Sequence, residues 1–140
     1  PEFIPPQLTA LAEKPPAGPE WGHELKWDGY RMHARIDRRD VRMLTRTGLD
    51  WTDRYPEMVE ALRSFSTKQA YLDGELCAVS EEGLTSFSAM QAATDLAAAS
   101  GLVYILFDLL HLDGEDLTGL SLRDRKERLQ ALLKGAPGPL

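Results

Sequence analysis

The chain has 140 residues, of which 43% are hydrophobic and 27% are charged; this predicts one compact domain and excludes a disordered chain. A net charge of −6, from 16 basic and 22 acidic residues, argues against a general nucleic-acid binder. The single cysteine, Cys77, excludes an internal disulfide framework, and no run of about 18 apolar residues is available to cross a membrane.

The chain is predicted to begin with an arm and a β-hairpin. Residues 1–19 hold six of the nine prolines, which indicates an extended or wrapping arm with one helical turn after Thr9. Two alternating segments flank a turn at residues 37–40 and predict an antiparallel hairpin. The two predicted strands are Glu24–Ile36 and Val41–Arg46. On the first strand one face is expected to carry Arg31, His33 and Arg35.

The rest of the chain mixes predicted helices and strands. Apolar residues at helical spacing predict three amphipathic helices, and two apolar-rich runs predict buried strands. The predicted helices are Pro56–Ser66, a segment capped by Ser86 or Ser88 that runs through Ala98, and Ser121–Lys134 with Leu122, Leu129, Leu132 and Leu133 on one side. The predicted strands are Ala70–Val79, closed by a turn at residues 80–83, and Leu102–Leu110, followed by a turn at residues 111–114 and a short strand. Hairpins dominate, so the predicted fold class is α+β.

Charge is distributed unevenly along the chain. Residues 31–46 hold six of the eleven arginines and two acids, whereas residues 69–122 hold nine acids and neither lysine nor arginine. The arginine-rich segment could bind phosphates through bidentate hydrogen bonds, and the acid-rich segment could hold a divalent cation. The alternative is that both segments are ordinary solvated faces.

One of only five lysines, Lys26, lies in a distinctive octapeptide. Residues 24–31 read Glu-Leu-Lys-Trp-Asp-Gly-Tyr-Arg, and a regular strand would place Glu24, Lys26 and Asp28 on one face. The simple interpretation is a surface ion pair. The chemical interpretation is a nucleophile, because a neutral amine attacks phosphorus once desolvation or nearby cations lower its pKa. Arg31 and a metal ion could supply that positive field.

The octapeptide resembles the first motif of the covalent nucleotidyltransferases, which comprise ATP-dependent DNA ligases, RNA ligases and mRNA capping enzymes. Three further segments resemble later motifs of that family in the same order: residues 45–48, 72–76 and 104–108. The sequence around these motifs is most similar to the ligase domain of bacterial multidomain end-joining ligases. Residues 20–140 resemble the N-terminal part of the adenylation domain, and the later Glu-Gly motif, the later lysine motif and the OB-fold domain are absent.

This resemblance implies a truncated, antiparallel-sheet-rich nucleotidyltransferase fold and a ligase reaction. Lys26 would attack the α-phosphorus of ATP and hold AMP, which would pass to a DNA 5′-phosphate before a 3′-hydroxyl sealed the break. The implied ATP or AMP ligands are Glu24 and Leu25 at the adenine edge, Arg31 and Glu75 at the ribose, Phe107 stacked on the base, and Lys26 itself. Asp28 and Glu75 are the implied ligands of Mg²⁺ or Mn²⁺, and Arg46 is the implied contact to a DNA phosphate.

The resemblance also implies partners and a setting. Nicked or broken double-stranded DNA is the expected substrate, and a DNA-end-binding protein and fused polymerase or nuclease domains are the partners that the resemblance implies for a longer protein carrying this chain. We expect no membrane association, no secretion signal and a cytoplasmic, nucleoid-associated bacterial protein. The isolated chain is expected to be impaired or inactive. Two alternatives remain open: a capping guanylyltransferase or RNA ligase, and a non-catalytic DNA-binding module that uses the Arg31–Arg46 segment.

Overall fold

The computed structural model describes residues 1–80, 82–95, 101–136 and 138–140. Its centre is a five-stranded sheet with the order β2-β1-β3-β4-β5, in which all neighbours are antiparallel. The strands are β1 (Tyr30–Asp37), β2 (Asp40–Thr45), β3 (Gln69–Ala78), β4 (Leu102–Leu112) and β5 (Glu115–Asp116). The helices are α1 (Pro56–Arg63), α2 (Phe87–Asp95) and α3 (Leu122–Leu132), with a short 3₁₀ helix at Thr52–Arg54. The predicted α+β class is confirmed.

One face of the sheet forms the hydrophobic core. Alternate residues of β1, among them Met32 and Ala34, pack with buried apolar side chains of β3 and α1. Tyr104 of β4 is fully buried, and its hydroxyl donates to the backbone carbonyl of Met32 at 2.9 Å. Gly74 makes this possible, because a Cβ there would lie 2.7 Å from the Tyr104 ring. Contacts in the core therefore join β1, β3 and β4 on one face of the sheet, and the other face is polar.

Most elements lie close to their predicted bounds, and Ser86 is the residue that caps α2, accepting from the Ala89 backbone N–H at 3.3 Å. The predicted helix end at Ala98 and the turn residue Glu81 lie outside the described residues. Of the leucines predicted on one side of α3, Leu129 is buried, whereas Leu122 at the first position of the helix is exposed. None of the described helices is both long and apolar enough to cross a membrane.

Two predictions about the N-terminal region are wrong. The helical turn after Thr9 does not form, since Leu8 and Leu11 are exposed and a short unsupported helix is marginal in water. The first strand begins at Tyr30 rather than Glu24, since pairing with β3 starts at Tyr30 and the Asp28 backbone N–H donates to the Thr85 hydroxyl instead of to a strand. The separation of an arm at residue 19 stays a prediction.

The first residues of the chain lie across the polar face of the sheet. The backbone N–H of Ile4 donates to the Tyr71 hydroxyl at 3.1 Å, and Arg35 donates to the Pro1 carbonyl at 2.9 Å. Phe3 packs edge-on against His33, with ring centroids 5.7 Å apart. His33 is thereby fully buried, and neither ring nitrogen has a hydrogen-bond partner among the described residues.

The burial of His33 predicts an acid-sensitive fold. Burial lowers the pKa of His33 below its ordinary 6.5, against the opposing charge of Asp73 and with a smaller contribution from Arg31. Only the unfolded chain then takes up the proton just below pH 6.5, so acidification should lower the free energy of unfolding by at most about 1.4 kcal/mol per pH unit. Urea unfolding at pH 7.5 and 5.5 measures this. His33→Phe should remove this component, and an equal acid loss in both proteins would contradict it.

Candidate active site

The polar face of the sheet holds an arginine in a fixed position. The register of β1 and β3 places Arg31 opposite Glu75 and His33 opposite Asp73. The Arg31 guanidinium donates to both carboxylate oxygens of Asp73, from Nε at 3.1 Å and from Nη2 at 2.7 Å. Asp73 is 4% exposed, and its hydrogen bonds are the largest cause of the raised pKa of Arg31. A bidentate pair of this kind fixes both the charge and the plane of the guanidinium.

Three of the predicted nucleotide ligands lie on neighbouring strands of this face. The Arg31 guanidinium carbon lies over the Phe107 ring, 5.6 Å from its centroid, in cation–π range. Glu75 is half-buried, and this burial raises the pKa of its carboxyl, although a hydrogen bond from the Gly29 backbone and the charge of Arg31 oppose the effect. The structure therefore brings Arg31, Glu75 and Phe107 together around one polar surface.

Lys26 lies beside this surface on an irregular loop, residues 24–29. Its Nζ is 2.7 Å from Oδ1 of Asp28, and the two side chains are 88% and 56% exposed. The hydrogen bond and charge of Asp28 raise the pKa of Lys26, and the charge of Glu75 adds a smaller contribution. Lys26 is thus within electrostatic reach of Glu75, but its amine faces solvent and is held protonated.

The loop is anchored at both ends. Near its end, the Asp28 backbone N–H donates to Oγ1 of Thr85 at 3.3 Å. At its start, Glu24 forms an ion pair with Lys126 of α3, and the same ammonium group donates to the Phe107 carbonyl at 2.9 Å. Lys26 projects from the stretch between these anchors.

Gly29 allows the loop to approach β3 closely. A Cβ at this position would lie 2.2 Å from the Leu76 carbonyl oxygen and 2.8 Å from the Cys77 sulfur. Gly29→Ala is therefore expected to lower the free energy of unfolding by roughly 1–3 kcal/mol, as overpacking does. Chemical denaturation measures the change. Gly22→Ala is the matched control, since nothing lies within 4 Å of a Cβ there. Equal stability of the two variants would contradict the steric argument.

Two other predicted site residues, Leu25 and Arg46, are not part of the group formed by Arg31, Glu75 and Phe107. Leu25 is exposed, and Arg46 is exposed in the turn after β2, with no ion pair to a described carboxylate and no polar contact to the other predicted ligands. The described residues contain no group of three or more His, Cys, Asp or Glu side chains arranged to hold a metal. Asp28 pairs with Lys26, and the charge of Glu75 contributes to the raised pKa of the same amine, so both carboxylates lie within electrostatic reach of Lys26. Two carboxylates suit a magnesium ion that completes its shell with water and phosphate oxygens.

Sequence reasoning missed two residues of this site. Asp73 lies in the motif at residues 72–76, and strand alternation places it on the same face as Glu75, but its partner depends on the strand register. Lys126 lies on α3, and no local pattern links it to Glu24 or Phe107. Both residues act by holding another predicted ligand in place.

Comparisons with known proteins agree on one family. A family model described as the ATP dependent DNA ligase domain matches residues 10–140. A Pseudomonas aeruginosa protein named multifunctional non-homologous end joining protein LigD is 47% identical over 135 residues. That match covers 96% of this chain and 16% of the relative, so the chain corresponds to a small part of the longer protein.

Solved structures show the same relationship. The mycobacterial DNA ligase D complexed with ATP and MES is 34% identical with a TM-score of 0.68, covering 81% of this chain and 36% of that one. The ligase domain from M. tuberculosis LigD is 33% identical, also with a TM-score of 0.68, covering 83% of this chain and 40% of that one. The sheet and helices described above therefore share the fold of part of those ligase domains.

Proposed function

The chain belongs to the ATP-dependent DNA ligase domain family, and from this premise we propose that Lys26 is the nucleophile that accepts AMP from ATP. The observation that carries the proposal is the position of Lys26. It projects from a doubly anchored loop beside the surface formed by Arg31, Glu75 and Phe107. These groups offer an amine, ribose-binding polar side chains and a flat aromatic face at one place.

The proposed reaction has three steps. The neutral amine of Lys26 attacks the α-phosphorus of ATP, forming a P–N bond as the bond to pyrophosphate breaks, and the amine proton leaves to solvent. A DNA 5′-phosphate oxygen then attacks the AMP phosphorus, the P–N bond breaks, and the Lys26 amine leaves after taking up a proton from solvent. Finally a 3′-hydroxyl attacks the activated 5′-phosphate and gives its proton to solvent, the bond between that phosphate and AMP breaks, and the strand is sealed. The Asp28 ion pair must release the amine before the first step.

The polar face supplies the proposed adenosine contacts. The Phe107 ring stacks on the base, while Arg31 and Glu75 bind the ribose hydroxyls. Glu24 and the backbone at Leu25 contact the adenine edge. The pairing with Asp73 keeps Arg31 at its position before the nucleotide arrives, which reduces the ordering needed on binding.

Asp28 and Glu75 are the proposed carboxylate ligands of Mg²⁺ or Mn²⁺, because Asp28 pairs with Lys26 and Glu75 lies within electrostatic reach of the same amine. Such an ion would neutralise phosphate charge during the first step. Arg46 is the proposed contact to a DNA phosphate, since its exposed guanidinium has no ion pair with a described carboxylate.

We propose that these 140 residues form an incomplete site. Lys26 is 88% exposed, whereas phosphoryl transfer by an amine is favoured by desolvation. The chain covers 36% of the ATP-complexed mycobacterial ligase chain, and residues outside this match would enclose the amine. The relative's name assigns that relative to non-homologous end joining, and we propose the same role for the protein that carries this chain. Its proposed substrate is broken double-stranded DNA, and its proposed location is the bacterial cytoplasm at the nucleoid. A DNA-end-binding protein and fused polymerase or nuclease domains are its proposed partners.

Labelled ATP with Mg²⁺ tests the proposal. The two proteins to compare are the chain itself and a chimera in which residues 10–140 replace the matching segment of the Pseudomonas aeruginosa relative. We expect the chimera to retain label on Lys26 by peptide mapping, with ATP preferred to GTP, and the chain alone to label far less. Absence of label from the chimera, or label on another residue, would contradict the proposal, and a preference for GTP would favour a capping enzyme.

A further inference from the structure

Lys126 connects the two sides of the proposed nucleotide site. Its Nζ donates to the Phe107 backbone carbonyl at 2.9 Å and forms an ion pair with Glu24 at the start of the Lys26 loop. From this contact we propose that Lys126 is a positioning residue that holds the adenine-edge carboxylate and the Lys26 loop against the base-stacking strand. The inference rests on the proposed function and extends it to nucleotide selectivity.

The helix that carries Lys126 is itself fixed to the stacking strand. Arg125, the preceding residue, donates to both oxygens of Asp108 at 2.8 and 2.9 Å and to the Leu120 carbonyl at 2.7 Å. Asp108 directly follows Phe107, so α3 is fixed to β4 at the residue next to the proposed stacking residue. The base of the Lys126 side chain is thus set by a bidentate pair, and less conformational entropy is lost when its ammonium binds two acceptors.

The position of Lys126 gives it an effect on the base as well as on the loop. Adenine presents an amino donor at the edge where guanine presents a carbonyl, so a fixed carboxylate at Glu24 favours adenine. The ammonium of Lys126 holds that carboxylate beside Phe107. Without it, the described hydrogen-bonded anchor of the loop is Thr85, at its far end. Loss of Lys126 should therefore weaken both nucleotide binding and the preference for adenine.

The test uses the chimera and three variants. Lys126→Met removes the charge and keeps most of the side-chain length, and Lys126→Arg restores a cation. Arg128→Met is the matched control, because Arg128 lies on the same helix and pairs with Glu115 instead. We expect Lys126→Met to raise the KM for ATP roughly tenfold and to reduce the ATP-over-GTP preference by a similar factor. Lys126→Arg should recover part of both effects, and Arg128→Met should leave both unchanged.

The outcomes separate this inference from the proposed function. If the wild-type chimera labels Lys26 but Lys126→Met keeps the wild-type KM and nucleotide preference, the inference is overturned and the proposed function stands. If the wild-type chimera does not label Lys26, both fall. Glu24→Gln provides a second test if Lys126→Met impairs folding. The double variant Glu24→Gln with Lys126→Arg should raise the KM for ATP by less than the product of the two single effects, because both changes affect the same ion pair. If the two effects multiply independently, Lys126 does not act through Glu24 and the inference is overturned.

Discussion

Lys26→Arg is expected to abolish covalent attachment of AMP while leaving the fold intact. The guanidinium stays protonated at any accessible pH, so it cannot attack phosphorus, although it can still pair with Asp28. The loss should be on the order of 10⁴-fold or more in the rate of labelling from ATP. Because the Lys26 side chain is 88% exposed, the thermal unfolding midpoint of the chain should not change.

A second substrate sharpens this prediction. Nicked DNA that already carries AMP on its 5′-phosphate bypasses the two steps in which Lys26 forms and breaks the P–N bond. The Lys26→Arg chimera should therefore still seal this pre-adenylated nick while failing to seal an ordinary nick with ATP. Lys68→Arg is the control, since Lys68 is exposed just before β3. The Lys68→Arg chimera should take up label on Lys26 as the wild-type chimera does. If the Lys26→Arg chimera still became labelled, another residue would be the nucleophile and the proposed role of Lys26 would be wrong.

The elements of the fold were predictable because local patterns determine them. The apolar run at residues 102–110 has the length of a buried strand, and it forms most of β4. Pro56 followed by apolar residues at helical spacing begins α1, and Ser121 caps α3 by accepting from the Asp124 backbone N–H at 3.2 Å. In each case the signal lies within about a dozen residues, so a pattern along the chain records it.

The geometry of the site was not predictable in the same way. The pairing of Arg31 with Asp73 depends on which strands are neighbours and on their register. The irregular Lys26 loop depends on the approach of Gly29 to the Leu76 carbonyl, a contact between distant parts of the chain. The arm over His33 likewise depends on tertiary packing, which alternation along a strand does not encode. Motif resemblance identified residue types, and only the sheet placed them relative to one another.

Among substitutions on the polar face of the sheet, Asp73→Asn is expected to cause the largest loss in the free energy of unfolding. Asparagine keeps the shape of the side chain but removes the charge that two Arg31 donors share at 3.1 and 2.7 Å. Breaking a buried ion pair from one side leaves the other charge uncompensated. Arg31 is 24% exposed, so water offsets part of this cost, and we expect a loss of about 2–4 kcal/mol in the free energy of unfolding.

Asp37→Asn is the matched control for Asp73→Asn. Asp37 pairs with Arg35 on the same sheet at 3.2 Å, but its side chain is 36% exposed. Because water reaches the Asp37 carboxylate far more than the Asp73 carboxylate, this variant should lose less than about 1 kcal/mol in the same urea titration. Equal losses in the two variants would show that burial of Asp73 does not set the strength of its pair.

The two roles of Asp73 can be separated by measuring nucleotide binding. If Asp73 positions Arg31 for the ribose, Asp73→Asn should raise the KM for ATP in the labelling assay of the chimera at temperatures where it remains folded. Arg31→Gln removes the ribose contact directly, so adding Asp73→Asn to it should raise the KM little further. A KM that Asp73→Asn leaves unchanged, despite a loss of stability, would confine Asp73 to the fold. Additive effects in the double variant would mean that Asp73 acts on the nucleotide by a route other than Arg31.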